Sequence, residues 1–372
     1  MIYFAGPDNT CYNEIMGTKS LVTEFASPKE FFEQIAGRSE IQLLSNEQIR
    51  EFYADKKILI TGAGGTIGSA VARRLNEANI QQTFYLDRDE SALHALALSL
   101  SDTAASHSDK CLVADVRDVT ALESIFLEIK PDLIIHTAAL KHLVVLERFP
   151  REGVLTNIFG TLNVVEAAER VGIGQILNVS TDKAALPTSV LGKTKLIAEH
   201  ITQDKSSSNM VTSSVRFGNV FASRGSVIET FVHQIQNNLL VTITHPDVTR
   251  FFMSHNEAAN LILATCTMRS NAVFVQEMGA RIKILDVVQR LGEALQMEPQ
   301  LSFVGLHNGE KLHEDLYEKD FTATDIPSIV QLPFSGNVFT PEELRGIQLP
   351  QSNEEALILI SKLINQIEVR SK

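Results

Sequence analysis

The stretch from Ser180 to Lys195 reads S-T-D-K-A-A-L-P-T-S-V-L-G-K-T-K and concentrates reactive groups. Thr181, Asp182 and Lys183 set a hydroxyl, a carboxylate and an ammonium side by side after an apolar run, and Lys195 adds a second ammonium. Adjacent groups that can each give or take a proton suit general acid–base chemistry. The same Asp and Lys could instead form an inert buried ion pair.

The elements around this stretch alternate in type. Lys57 to Thr61 is a buried-strand run, Gly62 to Gly68 (G-A-G-G-T-I-G) is a glycine-rich turn, and Ser69 to Ala78 has helical composition. Glycines let a backbone approach a pyrophosphate, and free N–H groups at a helix start attract it. Gly62, Gly65 and Gly68 are spaced by three, and Ile67 stands where the dinucleotide fingerprint G-x-G-x-x-G would place its last glycine. A second strand, Thr83 to Leu86, leads to Asp87, 19 residues after Gly68, where an acid would bond the ribose hydroxyls. Asp87 repels a 2′-phosphate and so favours NAD over NADP, while the Arg88 guanidinium could accept that phosphate.

Further strands are expected at Cys111 to Ala114, Leu133 to His136, Ile176 to Val179 and Val211 to Val215, with helices between. Such alternation predicts an α/β fold with a doubly wound parallel sheet and ligands at the carboxyl ends of its strands. Asp115 falls at such an end, where it could meet an adenine amino group or cap the next helix. The small residues of His136-Thr-Ala-Ala-Leu-Lys-His142 suit close passage beside a cofactor, and its histidines are expected to bond backbone. No metal-ligand set is present. Arg224 and Arg250 each lie among small polar residues and could grip a diphosphate or serve as surface ion-pair partners.

Composition limits the function classes. The 372 residues are 44% hydrophobic and 21% charged, ordinary values for a globular chain of one large domain or two joined ones. Thirty-three basic against 45 acidic residues give a net charge of −12 with no basic run, which argues against a nucleic-acid partner. Cys11, Cys111 and Cys266 have no redox or metal spacing. The N-terminus lacks the signal-peptide pattern, and no run of eighteen apolar residues occurs. A cytoplasmic protein with no membrane partner is expected.

Four regions follow: an N-terminal extension over 1–55, a cofactor-binding domain over 56–215, a substrate-binding region over 216–340 and a C-terminal packing helix within 341–372. Within the first, Ser45 and Gln48 suggest a cap for a helix carrying Ile49, Phe52 and Tyr53. Lys283 to Leu295 reads as a helix, Leu301 to Gly305 as a short strand, and Lys205 to Asn209 as a surface loop.

Taken together, the strings ILITGAGGTIGS, LDRDE, ADVRD, HTAALKH, TNIFGTLNV, STDKAALPTSVLGKTK, VRFGNVFASRGSV, THPDVTRFFM and NGEKLHEDL resemble the extended short-chain dehydrogenase/reductase superfamily. More narrowly they are similar to the UDP-N-acetylglucosamine 4,6-dehydratases of bacterial polysaccharide biosynthesis, over about residues 37–327. Residues 37–57 resemble the segment before the Rossmann domain in larger membrane-tethered members; no membrane part is expected here. The resemblance implies a Rossmann-type sheet with a smaller C-terminal substrate-binding α/β subdomain, a UDP-sugar substrate and a homo-oligomer.

The implied reaction moves a hydride from the sugar C4 to NAD, removes the C5 proton, expels water from C6 and returns the hydride to C6. On this resemblance Lys183 is the C5 base, Asp182 the acid at C6 and Thr181 a donor to O4, with Lys195 on the nicotinamide ribose. The cofactor falls to Gly62, Gly65, Thr66, Ile67, Gly68, Asp87, Arg88, Asp115, Val116, Ala138 and Ala139. The substrate falls to Lys141, Asn219, Arg224, Arg250 and Glu310. Some relatives use as base a tyrosine four residues before Lys195; here Leu191 occupies that position, as methionine does in others. The chain then matches a tyrosine-free type, with Asp182, through a water, taking the O4 proton. A nucleotide-sugar 4-epimerase and a catalytically silent NAD or nucleotide-sugar binder are the alternatives.

Overall fold

The computed structural model describes residues 27–101, 107–204, 210–318, 320–334 and 338–370. Cys11 and the 205–209 loop lie outside them. The described part of the N-terminal extension holds helices α1 (Pro28–Ala36) and α2 (Asn46–Tyr53). The expected cap of α2 is a full capping box: Gln48 N donates to Ser45 Oγ, and Ser45 N donates to Gln48 Oε1.

Strand–helix alternation then begins with β1 (Ile58–Thr61), α3 (Thr66–Glu77), β2 (Thr83–Asp87), α4 (Glu90–Leu100), β3 (Cys111–Val113), α5 (Val119–Ile129) and β4 (Leu133–His136). Short helices α6 (Leu143–Arg148) and α7 (Pro150–Gly153) run into a π-helical stretch, Val154–Phe159, and on into α8 (Gly160–Val171). Next come β5 (Gln175–Val179), α9 (Val190–Asp204), β6 (Val211–Arg216), β7 (Asn219–Val220), α10 (Val227–Gln236), β8 (Val241–Ile243), β9 (Thr249–Arg250), β10 (Phe252–Met253) and α11 (His255–Met268). The remainder is β11 (Val273–Gln276), β12 (Ile282–Lys283), α12 (Ile284–Ala294), β13 (Leu301–Phe303), β14 (Thr322–Ala323), β15 (Ile329–Leu332), α13 (Pro341–Arg345) and α14 (Asn353–Arg370).

Among the described residues, nine strands form one sheet in the order β14-β15-β11-β6-β5-β4-β1-β2-β3. Strands β1 to β6 and β11 are parallel, and β15 and β14 add an antiparallel edge. The order reverses between β1 and β4, which opens a crevice at their carboxyl ends. Side chains alternate across the sheet: Ile58 and Ile60 enter one core with α3 and α11, while Leu59 enters the other with α5 and α8. Both faces being covered, the central strands read as unbroken apolar runs.

The last three strands of this sheet come from beyond residue 216, so the sequence boundary at 215 falls inside the sheet. A separate core gathers α1, α10, α12, β8 and β10 around Phe221, Phe231 and Phe252. Phe31 and Phe32 pack edge-on against Phe221. Arg38 donates from both terminal nitrogens to Glu257 at the start of α11, and Tyr53 Oη donates to the Leu263 carbonyl at 2.6 Å. Helix α14 covers α9 through Ala356, Ile360, Leu363 and Ile367.

Candidate active site at the carboxyl edge of the sheet

The glycine turn sits at the end of β1 beside the point where strand order reverses. Gly62 has φ +69°, and a Cβ there would stand 2.6 Å from the Ala138 nitrogen. On Gly68 it would stand 2.4 Å from the Gly62 carbonyl oxygen. Backbone therefore packs on backbone, as a close-lying pyrophosphate requires. Gly65 is the N-cap of α3 and supplies no side-chain acceptor, so the first N–H groups of that helix stay open to an anion. Gly64, which sequence reasoning passed over, donates its N–H to Asp87 Oδ2 at 2.9 Å. Ile67 packs against the core behind the turn.

Asp87 ends β2, and its Oδ1 also accepts from Asp89 N at 3.0 Å. Arg88 pairs with Asp115 at 3.7 Å, so this cation just after β2 faces a carboxylate. Asp115 is not the cap of α5; Asp118 takes that role through Ala121 N. Val116 is buried, and its carbonyl accepts from Asn163 Nδ2 at 3.0 Å. Ala138 and Ala139 follow β4, and Ala138 borders the glycine turn. These residues fit a dinucleotide in shape and hydrogen-bonding capacity.

His136 corrects the expectation of backbone bonding. Its Nδ1 lies 2.8 Å from Thr61 Oγ1 and its Nε2 3.1 Å from Thr161 Oγ1. The strand ladder already occupies the nearby backbone, leaving hydroxyls as the partners. Because the Thr161 hydroxyl donates to the Asn157 carbonyl, it accepts from Nε2–H, which leaves Nδ1 to accept from Thr61. Burial, with the Lys195 charge second, pushes this imidazole down to about 3. His136 is thus a neutral structural link.

Asn157, in the π-helical stretch, clamps the loop after β4. Its Oδ1 accepts from Leu140 N at 2.8 Å, and its Nδ2 donates to the Leu140 carbonyl at 3.0 Å and to Thr194 Oγ1 at 3.1 Å. The string TNIFGTLNV contained this residue without marking it as special. The π-helical backbone was a signal no propensity would reveal.

The reactive turn leaves β5. Thr181 caps a 3-10 turn at Asp182–Ala184, and its hydroxyl donates to Asp182 Oδ1 at 2.9 Å. Lys183 Nζ donates to the same oxygen at 2.9 Å and to Asn219 Oδ1 at 3.1 Å. Asp182 is fully buried, and its Oδ2 has no hydrogen-bond partner among the described residues. Lys195 is buried on α9, one turn before Glu199, and burial pushes its ammonium down to about 8 against the opposing pull of that carboxylate. Glu199 is itself held by Ser180 Oγ and by a two-point pair with Arg216 at 2.8 and 2.7 Å.

The expected substrate residues fall into two groups. Lys141 donates to Ser223 Oγ at 3.3 Å, and next to it Arg224 N donates to Thr66 Oγ1 at 3.2 Å, which brings both beside the glycine turn. Arg250 instead is buried and paired with Glu310 at 2.7 Å, while its other terminal nitrogen donates to the Thr249 and Leu312 carbonyls. Its guanidinium is therefore largely committed inside the protein. Sequence reasoning also missed Glu314, buried four residues after Glu310. A cavity of about 430 Å³ lined by Lys56, Lys130, Asp132, Gln175 and Arg269 lies at the opposite edge of the sheet, away from all these groups.

A sheet ordered 3-2-1-4-5-6 with a glycine turn at its switch point and a buried lysine on the helix after β5 defines a Rossmann-type protein of the extended short-chain dehydrogenase/reductase class. The chain belongs to the polysaccharide biosynthesis protein family, whose model matches residues 58–333. It is 38% identical over 295 residues to capsular polysaccharide biosynthesis protein CapD of Staphylococcus aureus, covering 77% of this chain and 49% of that protein. The chain thus spans about half the length of that relative. A UDP-glucose 4-epimerase of Rickettsia canadensis is 32% identical, with 76% of this chain and 84% of that one covered. Among solved structures, Pen from Bacillus thuringiensis superposes with a TM-score of 0.68 at 29% identity, over 84% of this chain and 99% of that one. DesIV, a dTDP-glucose 4,6-dehydratase from Streptomyces venezuelae solved with NAD and TYD, shares the fold with a TM-score of 0.61 at 16% identity, over 83% and 97%.

Proposed function

We propose that the protein is an NAD-dependent nucleotide-sugar 4,6-dehydratase acting on a UDP-N-acetyl-hexosamine, UDP-N-acetylglucosamine first among them. The observation that carries this is the bonded Thr181, Asp182, Lys183 and Asn219 cluster beside an apolar Leu191. Family membership and the CapD likeness support a role in polysaccharide biosynthesis, and the dinucleotide-shaped turn supports NAD. Bound there, NAD would accept the C4 hydride and return it at C6.

The chain's own residues do the rest. Gly62, Gly65 and Gly68 let the pyrophosphate approach, and Asp87 binds the adenosine ribose. Lys195 bonds the nicotinamide ribose, and Lys141, Arg224 and Asn219 bind the sugar nucleotide. Thr181 donates to O4, and Asp182 takes the O4 proton and gives one to the departing C6 oxygen. Lys183, after its ammonium has lost a proton to solvent, removes the C5 proton and returns one to C5, on either face. A cytoplasmic homo-oligomer completes the proposal.

Incubation with UDP-N-acetylglucosamine and NAD in deuterated water tests it. The expected product has lost one water and carries deuterium at C5. A product of unchanged mass that is epimeric at C4 would establish the epimerase reaction of the Rickettsia relatives instead.

A further inference from the structure

Near the reactive turn, two buried carboxyl oxygens lack a donor among the described residues. One is Asp182 Oδ2 and the other is Glu314 Oε2. Glu314 is only 2% exposed, and Asp182 is 0% exposed. An unpaired acceptor in the interior costs about 1–3 kcal/mol, so two in one site call for a shared explanation.

The segment carrying Glu314 is fastened both to β9 and to the residues just after the reactive turn. Thr249 N donates to the Leu312 carbonyl at 3.0 Å, and Thr249 Oγ1 lies 2.8 Å from His313 Nδ1. Lys311 Nζ donates to the Ala185 carbonyl at 2.8 Å, just after the turn that bears Asp182 and Lys183. Thr188 Oγ1 donates to the Gly309 carbonyl at 2.8 Å. The cations nearby are otherwise engaged: Arg250 with Glu310, Lys183 with Asp182 Oδ1 and Asn219, and Lys311 with the Ala185 carbonyl, 4.0 Å from Glu314 Oε2. None of them supplies the missing donor.

We propose that Glu314 is a positioning residue that shares one proton with Asp182, the O–H of one carboxyl serving the orphaned oxygen of the other. One proton removes both deficits at once. Burial raises the Glu314 carboxyl, the Lys183 charge opposes that rise, the Asp182 charge adds to it, and Arg250 and Lys311 oppose it more weakly. Proximity of like charges in a buried site favours such sharing.

The inference rests on the proposed dehydration for its catalytic meaning. The pair holds one proton at rest. It holds two once O4 has lost its proton to Asp182 and the hydride has left C4, and one again when the C6 oxygen departs as water. Glu314 thereby keeps the acceptor oxygen of Asp182 oriented toward the sugar without a tyrosine.

Infrared spectroscopy of the substrate-free protein at neutral pH reads the proton directly. The wild type is expected to show the carbonyl band of a neutral carboxylic acid, shifted in deuterated water, weakened in Asp182→Asn and lost in Glu314→Gln. Kinetics supply the second readout. Glu314→Ala is expected to lower kcat about 10- to 100-fold with KM within about twofold, and Glu314→Gln to recover roughly tenfold of that loss, since an amide still donates. The alkaline fall in kcat, where the shared proton is lost, should be absent in Glu314→Gln. No neutral-acid band, or a Gln variant as impaired as Ala, overturns the proposal. A wild type that shows the band yet dehydrates no UDP-N-acetylglucosamine supports the shared proton and overturns the reaction.

Discussion

Lys183 Nζ lies 2.9 Å from Asp182 Oδ1 and 3.1 Å from Asn219 Oδ1, so one ammonium ties the turn after β5 to strand β7. Removing it takes away the proposed C5 base and frees the Asp182 oxygen it holds. Lys183→Ala and Asp182→Asn are each expected to lower turnover about 10²- to 10⁴-fold, the usual range for a general acid or base. NAD affinity should stay within a few-fold, because neither residue lines the glycine turn. Product mass spectrometry with a parallel NAD titration checks both halves. A wild type that binds NAD yet shows no turnover would leave a silent binding protein, and unchanged turnover in both variants would move the chemistry to other residues.

Gly62 is the position where backbone geometry allows least. Its φ of +69° is strained for an L residue, and a Cβ would meet the Ala138 nitrogen at 2.6 Å. Since a backbone neighbour cannot swing aside, Gly62→Ala is expected to cost about 1–3 kcal/mol. The loop after β4 would be pushed away from the cofactor position, so NAD affinity should fall as well. Thermal melting with and without NAD separates the two effects.

Lys195 is stabilised poorly in the fold, which gives it a pH signature. Its ammonium sits at about 8, below the ordinary lysine value of about 10.4, so between those limits the unfolded chain binds more protons. Stability of the wild type should therefore rise with pH across that window relative to Lys195→Met, by roughly 2–3 kcal/mol. The comparison with Met is needed because the buried Tyr53 and Cys266 are raised by burial and pull stability the other way. At pH 7 the Met variant should melt no lower than wild type, since a poorly compensated buried charge is lost and Glu199 keeps Arg216 and Ser180. Its NAD affinity should nonetheless drop roughly tenfold, about 1.4 kcal/mol. Urea denaturation from pH 7 to pH 10 reads the first effect and calorimetric titration the second.

The arm before β1 is fixed by Arg38, whose guanidinium meets the Glu257 carboxylate at 2.6 and 3.0 Å. Glu257 is 1% exposed and also accepts from Ile41 N and Ser254 N. Arg38→Ala is expected to destabilise the protein by about 2 kcal/mol, less than for a fully sealed pair because Arg38 is partly exposed. Turnover at low temperature should be preserved. A melting shift that vanishes at high salt would place the pair on the surface instead.

Local signals made much of this legible. Apolar runs located β1, β4 and, despite Asn178, β5, and the Ser45 and Gln48 spacing located a capping box. Thr181, Asp182 and Lys183 were legible because they are neighbours in sequence. What sequence did not disclose depends on contacts between distant segments. Glu314 is brought toward the reactive turn by fastenings of its segment, Leu312 to Thr249 and Lys311 to the Ala185 carbonyl. Arg250 in THPDVTRFFM read as a diphosphate grip or a surface ion-pair partner, whereas folding buries it against Glu310, 60 residues away. His136 bonds threonines 75 and 25 residues away, which no local pattern encodes.

Leu191 tests whether the absent phenol can be put back. It lies four residues before Lys195 on α9, is 5% exposed and belongs to the apolar cluster formed with Leu146, Val154, Ile158 and Val190. Gly192, its neighbour, has no room either, since a Cβ there would stand 2.2 Å from the Lys183 carbonyl oxygen. A tyrosine at 191 must therefore either bury its hydroxyl among aliphatic groups or displace the helix against the reactive turn. Overpacking of this kind costs about 1–3 kcal/mol, and an unpaired hydroxyl adds a similar amount. Leu191→Tyr is expected to lower Tm and to leave kcat no higher than wild type, whereas Leu191→Met should change both little because its volume and polarity match. Melting curves and dehydration rates for the two variants check this. A tyrosine variant that is stable and faster would mean that position 191 faces the sugar and that the site merely tolerates losing the phenol.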